Sequence, residues 1–144
     1  TKTYYYDLAG QLRAAGLDVG QAFAILRTEL GDGRFEYDGA EELVEALRAQ
    51  GVVKILTYGE DVYQKFKASL CPSLEGLEVI TTVEPKVNYL NEHAAAGDWI
   101  IDDKVINGLE PRVLAVYIQH DDLKRADAHS LREVEDFVLR GLAS

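Results

Sequence analysis

The chain has 144 residues, 47% of them hydrophobic and 28% charged, proportions of one folded domain with a sizeable core, not of a disordered segment. Its formal net charge of -10 and sequence pI near 4.7 argue against a nucleic-acid or anionic-membrane surface, because phosphates call for clustered Lys and Arg. The single cysteine, Cys71, allows no internal disulfide and fits a reducing, cytoplasmic setting, and no apolar run approaches the roughly 18 residues of a membrane span.

Residues 3–15 place Tyr5, Leu8, Leu12 and Ala15 at three- and four-residue spacings, which predicts a helix stopped by Gly16. Asp18 can cap a second helix carrying Phe23, Leu26 and Leu30. Gly31 to Gly39 reads as a loop whose acids lack the register of a calcium loop. From Asp38 the rhythm becomes alternating. A helix over 40–50 burying Leu43, Val44 and Leu47 precedes a strand at 52–57 and a helix at 60–69. A strand at 77–82, a helix at 86–96 and strands at 98–102 and 113–118 follow, then a last helix near 130–141. Such alternation with short links predicts an α/β fold, a Rossmann-like parallel sheet with helices on both faces. Residues 1–37 read as a small helical segment attached to an α/β core at 38–144.

Three of these strands end on polar side chains, where open α/β sheets gather their ligands. The strand at 52–57 ends in Thr57-Tyr58-Gly59, a hydroxyl beside a glycine turn. It can serve as an anion site with free amides at the next helix start, or Thr57 can simply cap that helix. Lys86 opens a helix, where an ammonium opposes the macrodipole by a few tenths of a kcal/mol, so a phosphate or a nearby carboxylate is expected to compensate it. The strand at 98–102 ends in Asp102-Asp103, with Asn107 one turn on. Paired carboxylates need a cation between them, and Mg2+ suits the pair; otherwise Asp103 caps the following turn and Asp102 is solvated. Hydroxyl, ammonium and acid pair in this order could bind a phosphoryl group above a magnesium ion.

The ordered trio resembles three motifs of the haloacid dehalogenase superfamily. Lys54-Ile55-Leu56-Thr57-Tyr58-Gly59 is similar to its second motif, Glu84-Pro85-Lys86 to its third, and Ile101-Asp102-Asp103-Lys104-Val105-Ile106-Asn107 to its fourth. The helix from Ala40 to Gly51 resembles the one leading into the second motif, and the likeness runs from about Asp38 to Ile118. It implies a magnesium-dependent phosphatase acting through an aspartyl-phosphate on a phosphorylated substrate, with residues 1–37 as a small cap. It implies that Thr57 binds a phosphoryl oxygen with Tyr58, Gly59 and Asn107 nearby, that Lys86 offsets charge, and that Asp103 with Asp102 holds Mg2+.

The family's first motif, a strand ending in Asp-x-Asp-x-Thr/Val, does not occur in this sequence. The nearest stretch, Tyr5 to Leu12, keeps Asp7 but has Ala9 in place of the acid/base, and the helical stripe through it is the favoured reading. In the family that strand lies between those matching 52–57 and 98–102, and strands about 4.8 Å apart cannot bond across the gap its loss would leave. Either residues upstream of Thr1 carry the nucleophile or residues 2–7 form a degenerate strand, and the absence of any methionine supports the first expectation. The alternative is a catalytically inactive binding or regulatory module. A phosphoacceptor receiver domain uses similar groups, but its acid pair comes first, not last. His93, His120 and His129 lack metal-ligand spacing, Cys71 has no histidine partner, and Asp121-Asp122 beside Lys124 and Arg125 reads as a solvated turn. No pattern in the sequence specifies substrate or oligomeric state.

Overall fold

The computed structural model describes residues 7–31, 35–118 and 130–143. Tyr5, His120, His129 and Asp121-Asp122 fall outside them. The chain divides into two compact units, Thr1–Glu36 with Lys54–Pro85 and Tyr37–Val53 with Lys86–Ser144.

In the first unit α1 (Leu8–Ala14) and α2 (Val19–Leu30) each begin at an aspartate. Asp7 accepts a hydrogen bond from the Gly10 amide at 2.8 Å, and Asp18 accepts one from Gln21 at 2.8 Å. A side chain on Gly10 would overlap the Asp7 carboxylate, so glycine is what lets the first cap close. The favoured helical reading of this stretch holds for the described residues. Phe23 of α2 meets Phe66 of α4 (Asp61–Ser69) with ring centroids 4.7 Å apart, and Ala9 completes a buried cluster edged by Leu26, Leu30 and Tyr63. The strands β1 (Lys54–Tyr58) and β2 (Glu78–Thr82) pair in parallel, with Lys54 opposite Glu78 and Thr57 opposite Thr81. A salt bridge of 3.2 Å between the exposed Lys54 and Glu78 side chains matches this register.

The second unit holds α3 (Ala40–Gln50), α5 (Lys86–His93), β3 (Trp99–Asp102), β4 (Leu114–Tyr117) and α6 (Leu131–Ala143). Leu43, Val116 and Val134 form its core, with Leu47, Trp99, Ile101, Ile118 and Leu131 packed around them. Gly39 opens α3 at φ +89°, and a Cβ there would press on Arg132 Cγ at 3.2 Å, so both backbone and α6 favour glycine. β3 and β4 pair in parallel, with Asp102 opposite Tyr117.

The expected elements are all present, with shifted ends. β1 starts at Lys54 and runs through Tyr58, leaving Val52 exposed in the connection from α3. α5 stops at His93, short of the expected 96, because the chain turns sharply there. The Ala95 amide bonds the Asp98 carboxylate at 2.8 Å, and Gly97 takes φ +90°. The described strands form a mixed α/β arrangement, but as two parallel pairs, β1 with β2 and β3 with β4, not one continuous ladder. No described strand bonds the other edge of β1 or of β3. Among the described residues, no helix is long and apolar enough to cross a membrane.

Because its carboxylate closes α1, Asp7 is expected to act as a structural residue. Replacing it with alanine should lower unfolding free energy by about 1 kcal/mol in urea titration.

Candidate functional site

Asp102 is the last residue of β3, and its side chain is only 5% exposed. A carboxylate so placed must be paired and hydrogen-bonded or give up its charge. Lys86, the first residue of α5, meets it with Nζ 2.5 Å from Oδ2, and the Lys104 amide donates to Oδ1 at 2.9 Å. The ammonium that opens α5 against its dipole is therefore compensated by a carboxylate. Burial pushes the Asp102 carboxyl up. The Lys86 ammonium, the Lys104 amide and the adjoining Asp103 carboxyl more than reverse this, holding it below the usual carboxylate range. Asp103, next along, is exposed. This reverses the alternative in which Asp103 caps the turn and Asp102 is solvated: the first acid is buried and closes the turn, and the second faces water.

The loop after this pair is fixed by three side chains of the same unit. The Tyr117 hydroxyl, opposite Asp102 in the ladder, accepts from the Ile106 amide at 3.1 Å. Asn91 of α5 donates to the Gly108 carbonyl and accepts from the Glu110 amide, both at 3.0 Å. Arg112 donates to the carbonyls of Asn91 and Ala94, closing the end of α5, and pairs with Glu110 at 2.6 Å. Asn107 is exposed between these anchors. Asn91, Arg112 and Tyr117 carry no motif signal, since each acts on backbone distant in sequence.

Thr57, Tyr58 and Gly59 belong to the other unit. The Thr57 hydroxyl donates to Gln64 Oε1 at 2.9 Å. Gly59 is buried at φ +144°, its amide bonded to the Thr82 carbonyl at 2.9 Å. A side chain on Gly59 would overlap the Gln64 amide, lying 2.8 Å from Cδ. The free amides expected at the start of α4 are occupied: Glu60 bends its carboxylate back to accept from Val62 at 2.9 Å and Tyr63 at 2.8 Å. Thr57 is therefore not the cap of that helix. Asp61, in its first turn, accepts from the Thr81 hydroxyl at 2.6 Å and pairs with Lys65, and these two contacts lower its carboxyl below the usual range. Gln64 is not singled out by the sequence; its only trace there is the glycine five residues upstream that makes room for it.

Other nucleophilic and metal-binding groups are quiet. Burial and then the Glu36 carboxylate push the Cys71 thiol up, which keeps it protonated. His93 stacks on Tyr89 with centroids 4.5 Å apart. Among the described residues, no three His, Cys, Asp or Glu side chains gather as a metal cage.

No protein-family profile matches the chain, and no curated protein matches it significantly. Its structure is similar to the crystal structure of a candidate haloacid dehalogenase-like hydrolase from Burkholderia xenovorans LB400. The TM-score is 0.54 at 18% identity, over 88% of this chain and 78% of that one. At this identity the likeness is one of fold alone, a mixed α/β arrangement shared with that protein.

Removing the cation from a buried pair strands its anion. Lys86→Met is expected to cost about 3 kcal/mol at pH 7. In the wild type the pair's stabilisation is present above the unfolded Asp pKa of about 3.9 and is lost as pH falls through the lower folded value. In Lys86→Met the burial of Asp102 loses its main opponent and its carboxyl takes up a proton more readily, so the deficit should shrink as pH falls from 7 to 4 in urea titrations.

Proposed function

We propose that the chain is a magnesium-dependent haloacid dehalogenase-like hydrolase, acting as a phosphatase on a phosphorylated substrate. The observation that carries this reading is the buried Lys86–Asp102 pair with an exposed second carboxylate beside it. It is supported by the fold shared with the Burkholderia protein and by the order of Thr57, Lys86 and Asp102-Asp103 along the chain.

The donors fit the ion. Mg2+ prefers one or two carboxylates and fills its shell with water and phosphate oxygens, so it needs no protein cage. Asp103, exposed and adjoining Asp102, would be its principal ligand, with Asp102 the outer partner because its oxygens are shared with Lys86 and Lys104. When bound, the ion would neutralise charge on a phosphoryl group. Lys86 has three N–H donors, and Asp102 orients the ammonium while leaving others to offset phosphoryl charge. In this reading Thr57, with Tyr58 and Gly59 at the β1 end, contacts a phosphoryl oxygen, and Asn107 is an outer contact. Residues 1–37 supply the cap, and the setting is cytoplasmic.

A second reading is favoured by a specific observation. The sequence has no Asp-x-Asp, and the carboxylate of Asp7 is spent on capping α1. A module that binds phosphoryl groups without transferring them would keep the Lys86–Asp102 arrangement and lack a nucleophile.

Hydrolysis of p-nitrophenyl phosphate by the 144-residue chain, with magnesium and with excess EDTA, separates the two. The phosphatase reading expects turnover that EDTA abolishes and that falls about 100-fold or more in Asp103→Asn, since a group stabilising transition-state charge is commonly worth 100- to 1,000-fold. Folded protein that binds phosphate without turnover means that these 144 residues hold no nucleophile, which is the binding reading for this chain.

A further inference from the structure

Gln64 is the principal buried uncharged polar side chain of the first unit, only 9% exposed, and it makes one side-chain hydrogen bond: its Oε1 accepts the Thr57 proton. Its Nε2 lies against the Gly59 turn, in space that exists because residue 59 has no side chain. Its amide therefore sits where both the Thr57 hydroxyl and the Gly59 turn bear on its orientation.

A threonine hydroxyl has one proton. While Thr57 gives it to Gln64, Thr57 can only accept, and a fully ionised phosphoryl oxygen also only accepts. The two would then present lone pairs to each other. A glutamine amide, however, exchanges its donor and acceptor ends by a half-turn about its last bond, with almost no change in the space it fills. After that turn Nε2 donates to Thr57 Oγ1, and the Thr57 proton is free to point away from the helix.

We propose that Gln64 is a positioning residue that sets the direction of the Thr57 hydroxyl, turning its amide when a phosphoryl group arrives. This rests on Thr57 as the phosphoryl contact proposed above. Thr57 is held in the acceptor-only direction until a ligand oxygen repays the half-turn, so inorganic phosphate binding and amide orientation are linked. Gly59 supplies the space for both orientations. Because Gln64 acts through the Thr57 proton, its replacement should matter by hydrogen-bonding character and not by bulk.

The test measures calorimetric binding of inorganic phosphate with magnesium to the 144-residue wild type and to Gln64→Met, Gln64→Glu and Thr57→Val. Methionine fills similar space without an acceptor and frees the Thr57 proton, so binding within about threefold of wild type is expected. Glutamate only accepts, holding the proton inward, and should weaken binding about tenfold or more, as should Thr57→Val. Chemical shifts of the Gln64 side-chain NH2, assigned by its loss in Gln64→Glu, should move on phosphate addition in wild type and stay fixed in Thr57→Val. This measurement decides the matter even if Gln64→Met fails to fold. Wild type that binds phosphate while Gln64→Glu binds equally, or while the NH2 signals stay fixed, overturns the Gln64 role and leaves the phosphatase reading standing. Wild type that binds no phosphate overturns both.

Discussion

The second unit depends on one buried charge. Asp102 ends a strand inside the protein, where an unpaired carboxylate would be several kcal/mol too costly to ionise. That single constraint dictates the ammonium at the start of α5 and the tight turn that brings the Lys104 amide back to the same carboxylate. The pair fixes where α5 begins relative to where β3 ends. Asn91, Arg112 and Tyr117 then hold the intervening loop to the same two elements, so Asp103 is presented from a backbone tied down on both sides.

The first unit solves a different problem with neutral groups. Its strand end has a hydroxyl, a glycine turn and a buried amide, and the nearest helix satisfies its own amides through Glu60. The carboxylates near this strand end are tied to local amides and hydroxyls, whereas in the second unit a carboxylate meets an ammonium. A catalytic reading gives each a role toward a phosphoryl group. A binding reading needs the same parts and only forgoes the nucleophile.

The helices and strands were legible because their apolar spacing is long and regular. Phe23 and Leu43 fall where periodicity puts them. Thr57, Lys86 and Asp102 were legible because each follows an apolar run, and Lys86 in addition because its place at a helix start contradicts the dipole. The division of labour between Asp102 and Asp103 was not legible, since two identical neighbours differ only in which one the strand's pleat turns inward. Gln64, Asn91 and Arg112 were invisible for another reason. Their partners lie between 7 and 21 residues away, and no local pattern encodes a bond that tertiary packing creates.

α5 has eight residues, about 12 Å of helix, which is too short to persist on its own in water. It exists because Asp102 holds one end and Arg112 closes the other. The helix therefore works as a ruler whose length is set from both tips, and it transmits displacement at one tip to the other. Natural variation at the far tip, remote from every charged group of the site, could tune the placement of the Lys86 ammonium without altering any residue that would touch a ligand.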